Sequence, residues 1–312
     1  MKIQVVPYNP NWPEMFEVEA KKIKNALKGN CIAIHHIGST SVPSHSAKPK
    51  IDIIAVVRDL FFHEVRLEAI GYRFRGGFNI PLQKCFRIIT KDRQINLHVF
   101  EKNDPEIELN IMFRNYLCQN PNARDQYAAL KYNLIKKESS HQKNNSIYSG
   151  YTLGKNAFIQ TILKEIGCNK HRFVLCTHDN EWENYHRICK EQIFDPINIE
   201  YDINHPSITA QEHFHFALYK GTKIVTVAHI EFLNEIEAAL RSLATDEIYQ
   251  NNGFGKIMMN LLEKWLRLKG KKILKMHSRL SAESFYRKLR YVDIIFDDPC
   301  IQENYINLGK SL

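Results

Sequence analysis

The spacing of apolar residues predicts one amphipathic helix and several strands in the first half of the chain. Residues 12–28 place Trp12, Phe16, Ile23 and Leu27 along one side of a helix. Short apolar runs bounded by turn residues predict strands at 31–37, 50–57, 84–90 and 95–100. The remaining predicted elements are a helix at 60–71, a turn at 91–94 and three helical stretches between about 106 and 166. Strands followed by helices are typical of an α+β domain.

The pattern changes near residue 168, where a helix ends at Gly167 and a new strand begins. We therefore predict two domains, at 1–168 and 171–312. In the second, strands and helices alternate in the order strand 173–177, helix 180–192, hairpin 213–230, strand 238–245, helix 256–269, strand 272–278, helix 281–289 and two last strands. This order predicts a mixed αβ domain.

Composition and charge agree with a two-domain globular protein that has an anionic partner. The chain has 312 residues, of which 44% are hydrophobic and 25% charged, so it has ample material for two cores. Lys and Arg number 43 against 34 Asp and Glu, which gives a net charge of +9. Such a surplus favours a nucleotide, a coenzyme or a nucleic acid. Nucleic acid is disfavoured, because the sequence lacks the basic stripe with interleaved aromatic residues that such surfaces show.

Cysteine usage and hydropathy indicate a cytoplasmic protein. The seven cysteines are scattered, odd in number and without a CxxC pair, which favours reduced thiols over disulfides or a zinc site. The first residues carry no apolar signal-peptide core, and no apolar stretch approaches the roughly 18 residues of a membrane span. We expect no membrane association, and the oligomeric state stays open.

A glycine-rich segment joins a predicted strand to a predicted helix in the second half. Gly253 and Gly255 remove side chains there, so that backbone N–H groups and the positive end of a helix can approach an anion. A Walker loop would have Ser or Thr after Lys256, and a dinucleotide-binding loop would have glycine at Met258. A diphosphate is therefore the ligand that this segment favours.

This segment, "ALRSLATDEIYQNNGFGKIMMNLLEKW", resembles the coenzyme A signature of the GNAT acyltransferases, Gln/Arg-x-x-Gly-x-Gly/Ala. A later GNAT motif also matches, at Phe285, Tyr286, Leu289 and Tyr291, although Arg290 replaces the usual glycine. The resemblance covers about 171–312 and implies binding of acetyl-CoA. The residues that it implies for the cofactor are Leu243, Ala244, Gln250, Asn251, Asn252, Gly253, Phe254, Gly255 and Lys256.

The GNAT resemblance also implies a chemistry. Strand 239–244 would pair with the pantetheine arm, and a deprotonated amine of a small molecule or peptide would attack the thioester. Tyr286 would protonate the departing thiolate as a general acid. The general base stays open among Glu231, Glu237 and His229, which lie just before or at the start of the central strand. His213 and His215 lie two residues apart on a predicted strand. We favour the interpretation that they are solvated at the edge of a sheet over the interpretation that they bind a metal ion.

In the first half, the segment "HHIGSTSVPSHSAKPKIDI" places a Gly-Ser turn before a strand with one carboxylate, as polymerase-β-type nucleotidyltransferases do. It resembles the GrpB family more closely, whose motif "HIGSTAVPGL-x-AKP-x-IDI" matches between His36 and Ile53. Further matches are "LHVF" at 97–100, "FRNYL" at 113–117, Tyr127 with Lys131, and the segment around Lys155. The resemblance covers about 1–166 and implies a nucleotidyltransferase-like fold.

The GrpB resemblance leaves two interpretations of the first domain open. In one, basic and hydroxyl side chains bind a phosphorylated ligand, with Asp52 holding a single Mg²⁺ ion. The residues predicted for this pocket are Gly38, Ser39, Thr40, Lys48, Arg87, His98, Arg114, Lys131 and Lys155. In the other, the domain is an inactive scaffold. Asp52 has no carboxylate two residues later, since Ile54 is apolar, and one carboxylate cannot assemble a two-metal site.

The sequence therefore predicts a two-domain cytoplasmic N-acetyltransferase with a phosphate- or nucleotide-binding first domain. One alternative is nucleotidyl transfer by the first domain, with the second domain regulatory. A further alternative is a non-catalytic module that binds nucleotide or nucleic acid.

Overall fold

The computed structural model describes residues 4–90, 93–138, 150–298 and 305–312. The chain divides into two compact units, one formed by Met1–Phe78 with Leu82–Lys170 and the other by Asn79–Pro81 with His171–Leu312. The predicted turn at 91–94 and the predicted helical stretch between 106 and 166 lie partly outside the described residues.

The first unit combines a sheet with flanking helices. Its strands are β1 (Cys31–Ile37), β2 (Ile51–Val57), β3 (Arg73–Gly76), β4 (Gln83–Ile89) and β5 (Gln94–Glu101). Its described helices are α1 (Trp12–Leu27), α2 (Val65–Glu68), α3 (Pro105–Gln119), α4 (Pro121–Glu138), α5 (Gly150–Leu153) and α6 (Asn156–Glu165).

The order of this sheet, β1-β2-β5-β4-β3, places the polar residues of three strands together. Strand β2 is almost entirely buried and pairs in parallel with β5, so that Asp52 lies beside Asn96. On its other side β2 pairs with β1, where Ile37 is the partner of Asp52. The turn that follows Ile37 therefore begins next to the carboxylate.

The predicted helix at 60–71 is wrong over most of its length, since only Val65–Glu68 are helical. Asp59 accepts a hydrogen bond of 2.8 Å from the backbone N–H of Phe61, and Lys84 donates one of 2.8 Å to the carbonyl of Phe62. These contacts take backbone groups out of helical pairing. Strand β3 was not predicted. It lies at the edge of the sheet and three of its four residues are exposed, so it lacks the alternation of buried and exposed residues that an apolar pattern would reflect.

The second unit contains a larger mixed sheet. Its strands are β6 (His171–Leu175), β7 (His213–Lys220), β8 (Lys223–Phe232), β9 (Glu237–Thr245), β10 (Ile273–Arg279), β11 (Val292–Asp293) and β12 (Tyr305–Ser311). Its described helices are α7 (Asp179–Cys189), α8 (Phe254–Leu268) and α9 (Glu283–Lys288). A π-helical turn at Lys190–Phe194 continues α7, which accounts for the longer helix that the sequence predicted.

Strands β9 and β10 begin as a parallel pair and then separate. Their pairing runs from Glu237 and Ile273 to Leu240 and Met276, although β9 continues to Thr245 and β10 to Arg279. The register between β8 and β9 shifts at the same point, because Ile230 pairs with Leu240 whereas His229 pairs with Ser242. Arg241 is thus the extra residue of a bulge, and a bulge bends its strand.

The two-domain α+β fold predicted from the sequence is confirmed, with a mixed αβ sheet in the second unit. Helix α8 contributes Met258, Met259, Leu262 and Trp265 to the apolar core of the second unit. No described helix combines the length and the apolar character needed to cross a bilayer.

Candidate functional site

The first unit contains a small cavity in which three lysines surround one carboxylate. Its volume is about 120 Å³. The residues that line it are Ser39, Thr40, Lys48, Lys50, Asp52, Tyr151, Thr152 and Lys155. The ammonium groups of Lys48 and Lys155 lie 3.6 and 4.9 Å from the ring centre of Tyr151. The lysines outnumber the carboxylate, so the cavity attracts anions.

Asp52 is held from three sides at this cavity. Its Oδ1 atom accepts a hydrogen bond of 2.8 Å from Asn96 and lies 3.9 Å from the ammonium group of Lys50. Its Oδ2 atom packs against Gly38, where a β-carbon would approach to 2.7 Å. Gly38 has φ +70°, a conformation that also favours glycine. Glycine is therefore required here for the close approach of the turn to the carboxylate.

The orientation of the Asn96 amide follows from its second partner. Arg87 donates a hydrogen bond of 3.0 Å from Nε to the Asn96 oxygen. Because a guanidinium has no acceptor, the Asn96 oxygen must face Arg87 and its NH₂ group must face Asp52. Asn96 thus presents donors, not a metal-binding oxygen, to the carboxylate.

The resemblance of the first half to nucleotidyltransferases implies Mg²⁺, but the side chains around Asp52 do not fit it. A magnesium ion needs oxygen ligands, commonly one or two carboxylates together with phosphate oxygens. Here the neighbours of the single carboxylate are an ammonium group, an amide NH₂ and a glycine. In the described part of the chain, no group of three or more His, Cys, Asp or Glu side chains could hold a metal ion.

Lys131 on α4 connects that helix to the Gly-Ser turn. It is only 2% exposed. Its ammonium group lies 3.1 Å from Ser39 Oγ, 2.7 Å from His45 Nε2 and 2.6 Å from the carbonyl oxygen of Ser46. Burial, followed by the charges of Lys155 and Lys48, lowers the pKa of Lys131 to about 7.

The glycine-rich loop of the second unit leads into the N-terminus of α8. Gly253 is the N-cap residue with φ +79°, and a β-carbon there would meet no atom within 4 Å. Among the described residues, none accepts a hydrogen bond from the backbone N–H groups between Asn251 and Lys256. These groups, with the positive end of a 15-residue helix, form an anion-binding surface.

Side chains of the loop stabilise the loop itself. Gln250 donates hydrogen bonds to the side chain of Gln192 at 2.8 Å and to the carbonyl of Thr245 at 3.1 Å. Asn252 donates one of 2.8 Å to the carbonyl of Gln250. The amides of these residues fix the backbone, which leaves its N–H groups to contact a ligand.

Gly255 connects this loop to the helix that carries Tyr286. A β-carbon at Gly255 would lie 3.3 Å from the ring of Phe285, the residue before Tyr286. The Tyr286 ring is 8% exposed and packs on Phe285 and Tyr291, with ring centres 4.9 and 5.8 Å away. Burial raises the pKa of Tyr286, so its hydroxyl stays protonated at neutral pH.

The separation of β9 from β10 opens a cleft in the sheet. Beyond Leu240, the edge of β9 that faces β10 has no strand partner among the described residues. Its backbone groups up to Thr245 can bind an extended ligand as an added strand would. Leu243 and Ala244 lie on this part of β9, immediately before the glycine-rich loop.

The two carboxylates predicted as bases occupy different places. Glu231 accepts a hydrogen bond of 2.5 Å from Nε of Arg241, the bulge residue at the mouth of the cleft. Glu237 begins β9, at the end of the strand remote from the loop, and pairs with Lys275 at 2.8 Å. The hydrogen bond from Lys275 lowers the pKa of Glu237.

Comparison with known proteins assigns both parts of the chain. The profile of the GrpB protein family matches residues 2–165, just over half of the sequence. The chain belongs to the GrpB family. The profile of the Acetyltransferase (GNAT) family matches residues 165–291, so a GNAT-family segment follows the GrpB segment.

Individual relatives match one segment or the other. The UPF0157 protein YqkA of Bacillus subtilis is 36% identical over 164 residues, which cover 51% of this chain and 46% of YqkA. The chain thus spans about half the length of that relative. The crystal structure of GrpB from Enterococcus faecalis is 36% identical, with a TM-score of 0.46, and the match covers 52% of this chain and 96% of that one. A GNAT-family acetyltransferase from Elizabethkingia anophelis, solved with acetyl-CoA bound, is 13% identical with a TM-score of 0.37, over 46% of this chain and 98% of that one.

The GrpB segment gathers part of the predicted pocket. Ser39, Thr40, Lys48 and Asp52 line the cavity together with Lys155. The other predicted side chains have different partners in this structure, because Arg87 binds Asn96, His98 contacts Gln83 at 3.1 Å and Arg114 donates to the carbonyl of His36 at 2.8 Å.

Several residues of the cavity were missed from the sequence. Lys50 could have been predicted, since it stands two residues before Asp52, and residues two apart along a strand lie on the same face. Tyr151 and Thr152 precede Lys155 in the matched GrpB segment, and the tertiary fold brings them to the turn. In the GNAT segment, the cleft between β9 and β10 was missed, since a bulge at Arg241 leaves no mark in the apolar pattern.

Among the histidines of the GNAT segment, His213 and His229 form a pair on β7 and β8. His213 Nδ1 lies 2.8 Å from His229 Nε2, and the ring of His215 stacks on His229 with centres 4.3 Å apart. Burial lowers the pKa of His229 to about 2 and that of His215 to about 4. Both rings are therefore neutral at physiological pH.

Proposed function

We propose that the second unit is an acetyl-CoA-dependent N-acetyltransferase. The observation that supports this most directly is the position of the loop at 250–256 at the end of the cleft between β9 and β10. A diphosphate on the loop would leave the pantetheine arm pointing along the unpaired edge of β9. The match to the GNAT profile supports the same cofactor.

In the proposed reaction, the amine nitrogen of the acceptor forms a bond to the thioester carbon and the carbon–sulfur bond breaks. Backbone N–H groups of β9 beyond Leu240 stabilise the developing oxyanion. Tyr286 donates its proton to the thiolate that leaves. The proton lost by the amine passes to a base, for which we propose Glu231 because Arg241 holds it at the cleft.

For the GrpB segment we propose binding of a phosphorylated ligand, such as a nucleotide. The lysine-lined cavity supports this proposal. Nucleotidyl transfer would call for further metal-binding carboxylates. Ile54, two residues after Asp52, and Asn96, its partner on β5, do not supply them.

The test of acetyl transfer uses the full chain. Isothermal titration should detect acetyl-CoA binding, and release of free CoA thiol should follow addition of an amine from a panel of polyamines, amino sugars and short peptides. Absence of acetyl-CoA binding in the millimolar range would refute the proposal. Binding without turnover on any amine would reduce the second unit to a coenzyme-binding domain.

A further inference from the structure

The cavity of the first unit is lined by three lysines and one carboxylate. We propose that the cavity binds a phosphate group without a divalent cation, with Lys48, Lys50 and Lys155 supplying the positive charge. This proposal rests on ligand binding by the GrpB segment and specifies its chemistry.

The size and lining of the cavity suit a phosphate group. Its volume of about 120 Å³ is several times the roughly 10–15 Å³ that a single water needs, so the cavity admits a ligand larger than one water. The hydroxyl groups of Ser39 and Thr152 and three ammonium groups lie around it, and these are the donors that phosphate oxygens accept from.

The groups around Asp52 do not suit a metal ion. Metal-dependent sites bring carboxylates together so that a cation can neutralise them. Here Oδ1 of the carboxylate accepts a hydrogen bond of 2.8 Å from the Asn96 NH₂ group and lies 3.9 Å from the Lys50 ammonium group. A cation added beside Asp52 would meet the repulsion of Lys50. Asp52 therefore contacts these donors and does not act as a metal ligand.

Lys131 sets the direction of the Ser39 hydroxyl. In its ammonium form, Lys131 has three N–H groups and three acceptors, namely Ser39 Oγ, His45 Nε2 and the carbonyl of Ser46. Ser39 thus accepts from Lys131, and its own hydrogen is left to donate to a ligand in the cavity. Lys131 is a positioning residue, since Ser39 stands between it and the ligand.

Phosphate binding tests the proposal in the full chain, measured by isothermal titration with inorganic phosphate, pyrophosphate and ATP. Each titration is done in EDTA and again with Mg²⁺. We expect at least one probe to bind in EDTA, with an affinity that Mg²⁺ does not raise. Binding that requires Mg²⁺ would overturn the metal-free mode while leaving ligand binding intact. Failure of all three probes to bind would overturn both.

Three variants localise the site. Lys155→Met should weaken binding at least tenfold, whereas Lys164→Met, which removes a charge from an exposed position on α6, should change it less than twofold. Asp52→Asn should leave binding in EDTA equal or tighter, because it removes a negative charge but keeps the shape. Equal binding by Lys155→Met and the parent chain, or loss of binding in Asp52→Asn, would contradict the proposal. Acetyl-CoA binding, measured in parallel, should not change in any of the three.

Discussion

Asn96 donates a hydrogen bond of 2.8 Å to the carboxylate of Asp52, and the two residues are partners on neighbouring parallel strands. An acidic residue at position 96 would instead face Asp52 as a second carboxylate. The amide of Asn96 is therefore the reason that Asp52 has no second carboxylate beside it at this position of the sheet.

The double variant Lys50→Met/Asn96→Asp should create a magnesium site that the parent chain lacks, because it removes the ammonium group that repels a cation and adds a second carboxylate. Two carboxylates side by side repel each other and bind a divalent cation in compensation. We expect millimolar Mg²⁺ to raise the Tm of the variant by roughly 2–4 °C, which corresponds to about 1 kcal/mol. The Tm of the parent chain and of the control Asn110→Asp on α3 should not respond to Mg²⁺. A response of the parent chain equal to that of the variant would contradict this expectation.

The variant Gly253→Ala should weaken acetyl-CoA binding through the backbone of the loop. Gly253 and Gly270 both have φ +79° with no atom within 4 Å of an added β-carbon, so alanine costs roughly 1–2 kcal/mol of backbone strain at either position. Only Gly253 belongs to the proposed diphosphate loop. We expect about a tenfold rise in Kd for Gly253→Ala and no change for Gly270→Ala, by isothermal titration. Equal affinities of the two variants would remove the loop from the binding site.

The variant Tyr286→Phe should lower kcat more than it changes the affinity for acetyl-CoA. The hydroxyl acts on the leaving thiolate, and general acids contribute on the order of 10²–10⁴-fold to the rate. Tyr291→Phe serves as control, since it removes the buried hydroxyl that donates to Glu263 at 3.0 Å. The control should lose about 1 kcal/mol of stability and keep its kcat. An unchanged kcat in Tyr286→Phe would leave Tyr286 as a packing residue.

The variants Glu231→Gln and Glu237→Gln should separate the two candidate bases. Both residues are ion-paired glutamates on adjacent strands, but only Glu231 lies beside the bulge at Arg241. We expect Glu231→Gln to lower kcat about a hundredfold, consistent with loss of a general base, and Glu237→Gln to keep kcat within twofold. Steady-state kinetics with a saturating amine would measure both, and the reverse order would assign the role to Glu237.

The buried Lys131 should make the first unit more stable at mildly alkaline pH. Its pKa is lowered from 10.5 to about 7 in the folded chain, so between these values the unfolded chain binds a proton that the folded chain does not. Stability therefore rises with pH from 7 to 10.5, and it is lost as pH falls to 7. Urea unfolding at pH 7 and pH 9 should show this rise in the parent chain and a smaller one in Lys131→Met. Equal pH dependence of the two chains would mean that the folded lysine titrates normally.

The sequence by itself predicts most of the elements in order, the two segments and the positions of both motifs, although its apolar pattern missed strand β3 and extended helix α2 too far. Strand β2 and helix α8 were found because a buried strand and an amphipathic helix each leave a regular apolar pattern. The loop from Gln250 to Gly255 and the turn at Gly38 were found because backbone approach to a ligand or a side chain demands glycine at fixed spacing.

Which side chains meet follows from how the elements pack. The neighbours of Asp52 come from residues 38, 50 and 96. Tyr151 and Thr152, more than 90 residues after Asp52 in the sequence, complete the cavity. The bulge at Arg241 and the cleft beyond it depend on hydrogen bonds among three strands, so they leave no local pattern. Contacts between distant residues are set by how elements pack, and the apolar spacing within one element does not record them.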